Sequence, residues 1–179
     1  LVHDDLPSMD DDDFRRGKPA VHKEFGEAVA VLTGDALLTY SFEVLTDGKA
    51  DLVVPYWTKT LAKAGGAEGM IHGQLLDIGS PEDKLSLKEL ELMHHKKTGA
   101  LFSASVELVT ALKPDQSFPD LRLFAEHLGL CFQIKDDLLD VQGNPEIMGK
   151  PSGSDEKNNR STFVSVLGEV EAKRRLETE

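Results

Sequence analysis

Apolar residues in this chain recur at helical intervals through one segment after another, and no convincing strand pattern interrupts them. From Glu27 to Leu45 they fall at Val31, Leu32, Ala36, Leu38, Phe42 and Leu45, and Asp47-Gly48-Lys49 ends the rhythm. Asp51 to Ile78 reads as a second helix, loosened by Gly65-Gly66, Gly69 and Gly73, small residues that permit close helix contact. After the loop Gly79-Ser80-Pro81, Ser86 with Glu89 three positions later forms a capping-box signature, opening a long helix from Leu87 to Leu112. Phe118 to Val141 is another, closed by Gly143-Asn144-Pro145, and Ser161 to Leu176 begins a last one. Leu1 to Pro7 reads as the final turns of a helix, with polar loops over Ser8 to Pro19 and Asn144 to Arg160. The expectation is an all-α single domain spanning residues 1–179. Because the chain starts without methionine against an acidic pair and stops inside the charged run Glu169 to Glu179, it is expected to be truncated at the N-terminus and also at the C-terminus.

The length of 179 residues and a hydrophobic share of 40% suffice for a globular core. With 32 acidic against 20 basic residues the net charge is −12, which argues against a broad surface for nucleic acid or anionic lipid. A polyanionic ligand needs a local cluster of cations instead. The one cysteine, Cys131, lies in an apolar run without an intrachain disulfide partner, so a reducing, cytoplasmic setting is expected. No membrane span is expected, because no stretch reads as the roughly 18 to 20 apolar residues that crossing requires.

Two acidic segments carry the chemistry. On the Phe118 to Val141 helix, Asp136 and Asp140 are offset by only about 40°, with Asp137 beside them and Gln133 one turn earlier. Carboxylates crowded on one face repel unless a cation neutralises them, and hard oxygen ligands suit magnesium. Taken alone, such a motif is more often a solvated acidic face. The first segment runs from Asp4-Asp5 through Asp10-Asp11-Asp12-Asp13 into Arg15-Arg16-Gly17-Lys18. A break near Pro7 would let Asp10 fold back beside Asp4. Its bland reading is an acidic loop balanced by its own cations, and an EF-hand is disfavoured because neither the Asp/Asn alternation nor the closing Glu is in register. Read together, both segments sit beside cations in an otherwise acidic chain, and such pairing suits a diphosphate held through magnesium, Arg and Lys. Gly99 inside a long helix suggests a local distortion near Lys97-Thr98. His22, His72, His94, His95 and His127 lack zinc-like spacing and read as structural or solvated.

The segments His3 to Asp10 and Phe14 to Pro19 resemble the first aspartate-rich motif of trans-polyprenyl diphosphate synthases, in the long form of the bacterial farnesyl type. Gly34 to Leu38, Lys97-Thr98-Gly99, Phe132 to Asp140 and Gly149-Lys150 resemble the same family, in the same order. The resemblance implies an isoprenoid-synthase-type helical bundle around a central cavity, here incomplete, and condensation of an allylic diphosphate with isopentenyl diphosphate to give farnesyl diphosphate. It implies Mg2+ bound by Asp4, Asp10 and Asp136, with Asp5, Asp137 and Asp140 as further ligands or supports. It also implies Arg15 on the allylic diphosphate, Arg16 on isopentenyl diphosphate, and Lys97, Thr98, Gln133 and Lys150 around the allylic headgroup. The resemblance implies a homodimer too, and gives His3 a supporting role at most. On this reading Asp4, Asp10, Lys97, Thr98 and Asp136 form the catalytic set.

Two other functions compete. A terpene cyclase also ionises a prenyl diphosphate, but its second metal motif normally carries Asn, Ser and Glu where this chain has Asp136 to Asp140. A non-catalytic helical subunit would regulate a partner, and retention of both acidic clusters argues against it. The segments of the family that help bind isopentenyl diphosphate upstream of the first motif would precede Leu1, so weak stability or activity is expected of these 179 residues alone.

Overall fold

A computed structural model describes residues 1–47, 52–79, 84–142 and 160–179. Helices dominate it. α1 (Val21–Phe25) and α2 (Glu27–Thr46) meet at Gly26, whose φ of 87° redirects the chain between them. α3 (Val54–Gly65) and α4 (Met70–Ile78) follow, then α5 (Leu87–His94), a π-helical turn (His95–Gly99) and α6 (Ala100–Thr110) in one continuous rod. α7 (Pro119–Gln142) is the longest, and α8 (Phe163–Leu167) and α9 (Glu169–Thr178) close the described chain.

Several expectations hold in detail. Ser86 and Glu89 make both hydrogen bonds of the capping box at the start of α5. The distortion expected near Lys97 is real, since the regular α pattern widens to π-geometry over His95–Gly99 before resuming.

Other expectations need correction. The helix expected over residues 51–78 is two helices, because the backbone breaks between Gly66 and Gly69, where successive small residues give little to hold a helix together. The last helix divides at Gly168, which adopts φ 81°, outside helical geometry. Among the described residues there is one strand pairing, a hairpin of β1 (Phe14–Arg15) and β2 (Lys18–Pro19), too short to show a strand period. Residues 1–10 form successive turns in place of a helix end. The expected absence of an apolar span is also corrected. α2 has 20 residues and is long and apolar enough to cross a membrane by length and composition. The expected closure of α7 at Gly143-Asn144-Pro145 lies outside the described residues, as do Lys150 and nearly all of the second polar loop.

The core lies where α5, α7, α8 and α9 converge, on Leu90, Met93, Ile134, Leu138, Phe163 and Ala172. Leu90, Met93, Ile134 and Phe163 are fully buried, each worth about 1.5–3 kcal/mol of apolar transfer. α3 is pinned to α6 by the Trp57 indole N–H, which donates to the Leu108 carbonyl at 2.6 Å. α4 packs on the π-turn so closely that a Cβ on Gly73 would lie 2.1 Å from the Lys97 amide nitrogen. Only glycine fits there, and that approach brings Asp77 of α4 to Lys97.

Candidate active site

The first acidic segment is shaped by its own backbone. The chain reverses after Pro7, so that the Asp10 N–H donates to the Asp4 carbonyl at 2.9 Å and the Asp11 N–H to the Leu6 carbonyl at 3.1 Å. Asp10 is thereby folded back onto Asp4, as the break at Pro7 suggested. The reversal needs Asp11 at φ 51°, a conformation that Asp tolerates better than most residues. Next comes the hairpin, whose two central residues, Arg16 and Gly17, have φ of 54° and 74°, as a tight two-residue hairpin turn requires. The turn sets Arg15 and Arg16 one after the other at the edge of the acidic loop. Arg15 donates from Nε to both Asp5 oxygens at 2.8 Å and from Nη2 to Oδ1. Asp5 is buried, and its carboxylate raises the Arg15 pKa through that hydrogen bond. In this structure Asp5 holds Arg15 in place.

His3 ties this segment to α2. Its Nε2 lies 2.8 Å from the Val31 carbonyl and 3.7 Å from an Asp35 oxygen. Gly34 makes room for the ring, since a Cβ there would fall 2.1 Å from Nε2. The Gly34-Asp35 pair therefore positions the imidazole that precedes Asp4.

The second segment lies on α7. Asp136 is exposed, whereas Asp137 and Asp140 are buried. The Asp137 carboxylate accepts the Phe163 N–H at 2.6 Å, satisfying a backbone donor at the start of α8. Gln133, one turn before Asp136, accepts from the Thr98 hydroxyl at 2.6 Å, so the π-turn and α7 meet through this pair. Lys97 Nζ lies 2.7 Å from Asp77 Oδ2.

A small polar cleft of about 60 Å3 joins these parts. It is lined by Asp77, His94, Lys97, Gln133, Asp136, Asp137 and residues 160–162. Arg160 is the link to the first segment, since its guanidinium is ion-paired with Asp10 and lies 3.8 Å from Asp77. Of the residues expected at the site, Lys97, Gln133, Asp136 and Asp137 line one cleft, Thr98 bonds to its wall, and Asp10 reaches it through Arg160. Asp4 adjoins Asp10 through the backbone, Arg15 and Asp5 form a separate pair, and Arg16 is exposed at the hairpin turn. Asp140 is buried one turn beyond the cleft.

Sequence reasoning missed Arg160 and Asp77. An Arg two positions before the capping Thr162 was the available signal for the first, while Asp77 sits in an ordinary helical segment and gave none. His94, read from the sequence as structural or solvated, is buried and stacks on Phe163 at a ring-centroid distance of 5.3 Å. Burial pushes the His94 pKa down to about 4, so this wall of the cleft is a neutral imidazole.

Carboxylates of α4, α7 and the first acidic segment facing Lys97 and Arg160 form a site for a polyanion, with oxygen donors suited to a hard cation. A family model for polyprenyl synthetases matches residues 1–177. The chain belongs to the polyprenyl synthetase family. It is 47% identical over 183 residues to the farnesyl diphosphate synthase of Geobacillus stearothermophilus, covering 98% of this chain and 61% of that protein. The corresponding protein of Bacillus subtilis (strain 168) is 45% identical, with 99% and 62% covered. A solved geranyltransferase from Helicobacter pylori, complexed with magnesium and isoprenyl diphosphate, superposes with a TM-score of 0.90 at 39% identity, covering 99% of this chain and 59% of that one. The chain thus spans about three-fifths of the length of the relatives it matches. The all-α, isoprenoid-synthase architecture accords with this polyprenyl synthetase membership.

Proposed function

We propose that this chain carries the ionisation site of a prenyltransferase that joins an allylic diphosphate, dimethylallyl or geranyl, to isopentenyl diphosphate head to tail, with farnesyl diphosphate as product. The observation that carries the reading is the cleft itself, in which Lys97, Gln133 and Asp136 meet Arg160, and Arg160 meets Asp10. Relatives that are farnesyl diphosphate synthases support the choice of product.

The donor set suits Mg2+. Asp136 is exposed at the cleft, and Asp4 and Asp10 are brought together by the backbone reversal at Pro7. Asp4, Asp10 and Asp136 would hold the metal, with Asp140 in support. Asp5 and Asp137, already engaged by Arg15 and by the Phe163 N–H, would position their neighbours. When bound, magnesium supplies positive charge against the departing diphosphate.

The chain's own groups do the rest. Arg15, Lys97 and Lys150 hold the allylic diphosphate oxygens, and Arg16 holds isopentenyl diphosphate. The allylic carbon–oxygen bond breaks with its electron pair on the diphosphate, which these cations stabilise. The Thr98–Gln133 pair and the carbonyls of the π-turn face the resulting allylic cation with oxygen dipoles. The isopentenyl double bond then forms the new carbon–carbon bond, and a proton passes to the released diphosphate. Lys150 lies outside the described residues and enters by family resemblance.

The proposal extends to a cytoplasmic homodimer. Val29, Leu32, Ala36, Leu37 and Tyr40 form an apolar strip along α2 that a second copy would cover. The lone cysteine supports a reducing compartment. Incubation of the chain, extended to the full length of its relatives, with geranyl diphosphate, isopentenyl diphosphate and Mg2+, followed by product identification, tests the reaction. Farnesyl diphosphate is expected, and a cyclic hydrocarbon would overturn the reading in favour of a terpene cyclase.

A further inference from the structure

Outside the residues that line the cleft, Asp11, Asp13 and His22 each offer one ligand atom, and these atoms all lie within 4.8 Å of one another. Among the described residues they are the one group of His, Cys, Asp and Glu side chains that converges in this way. The carboxylates are exposed, but His22 is only 6% exposed. Both of its ring nitrogens are shut off from solvent and have no hydrogen-bond partner. A buried imidazole aimed at two carboxylates and satisfied by neither is not explained by packing, because buried polar groups are ordinarily paired. The fold itself delivers this convergence. Asp11 and Asp13 enter the hairpin, His22 follows it on α1, and the Ala20 N–H donates to the Asp13 carbonyl at 2.8 Å to close the loop between them.

We propose that Asp11, Asp13 and His22 bind a divalent transition-metal cation, zinc above all, separate from the Mg2+ that Asp4, Asp10 and Asp136 would hold. An imidazole nitrogen favours zinc over magnesium, and two carboxylates with one histidine leave a fourth tetrahedral position for water. Lys23 currently supplies positive charge there, with Nζ 2.7 Å from Asp13 Oδ1. Its side chain is 42% exposed, so it swings into solvent as the metal enters. The bound ion clips together the two ends of the hairpin that presents Arg15 and Arg16, making hairpin order responsive to zinc. The inference stands independently of the condensation reaction.

The test is calorimetric titration of the whole chain with Zn2+ in excess Mg2+, which competes for the Mg2+ site proposed at Asp4, Asp10 and Asp136. One Zn2+ per chain is expected, with affinity weakened at least about tenfold in Asp11→Asn and in His22→Asn, and retained in Asp136→Ala. Lys23→Gln should bind more tightly than the wild type. X-ray absorption of the zinc-loaded protein should show oxygen and imidazole nitrogen neighbours without sulfur. Asp11 is exposed, so Asp11→Asn remains decisive if His22→Asn does not fold. Absence of stoichiometric zinc binding in excess Mg2+, or the same affinity in Asp11→Asn as in the wild type, overturns the proposal.

Discussion

His94 makes stability depend on pH in a way that can be worked out from its surroundings. Burial between α5 and Phe163 lowers its pKa from 6.5 to about 4, with Lys97 adding to the effect and Asp77 opposing it. Between those values the unfolded chain carries a proton at this position and the folded chain does not, so folding releases a proton and stability falls as pH falls. Each pH unit between the folded and unfolded values is worth about 1.36 kcal/mol, so the full loss is about 3 kcal/mol below pH 4. About 2 kcal/mol of this is lost between pH 7 and pH 5, where most carboxylates remain ionised. Urea unfolding at several pH values across that window, for wild type and His94→Leu, isolates the contribution, because the other histidines are common to both proteins. The wild type should lose about 2 kcal/mol more than the variant between pH 7 and pH 5. Parallel curves, or an NMR titration placing His94 near 6.5, would refute the reasoning.

Two further expectations follow from packing. Phe163→Ala removes the largest fully buried side chain of the core and the partner of His94, and should cost about 3–5 kcal/mol, measured by denaturant midpoint at unchanged m-value. Gly73→Val drives a side chain into the Lys97 backbone, a clash that a side-chain rotation cannot relieve. It should destabilise by at least about 1–3 kcal/mol and separate Asp77 from Lys97, lowering activity beyond the stability loss.

Much of this molecule is legible in the sequence because helices write their period along the chain. α2, α5, α6 and α7 follow from apolar spacing, and Ser86 with Glu89 marked a helix start that the structure reproduces bond for bond. Gly99 also signalled a distortion within a helix, and the π-turn there places Thr98 on Gln133. What was not legible depends on contacts between distant residues or on very short elements. A hairpin of two residues per strand carries no period. Arg160 gains its meaning from Asp10, 150 positions away, and His22 from two carboxylates beyond the hairpin, where a search for histidine and cysteine spacing does not look. Glu27, Asp35 and Glu43 punctuate α2, yet it remains apolar enough in length and composition to cross a membrane and carries an exposed apolar strip. The two acidic segments were recognisable as a pair, but only the structure divides their carboxylates between exposed Asp136 and structurally engaged Asp5 and Asp137.

The central claim is that Asp136 and its cleft ionise an allylic diphosphate with magnesium. The most direct measurement is release of diphosphate and formation of farnesyl diphosphate from geranyl and isopentenyl diphosphates, followed with and without Mg2+ in wild type and Asp136→Ala. The account predicts turnover that requires Mg2+ and is abolished by the substitution while the fold remains intact by circular dichroism. Condensation that proceeds without Mg2+, or at an unchanged rate in Asp136→Ala, would contradict it.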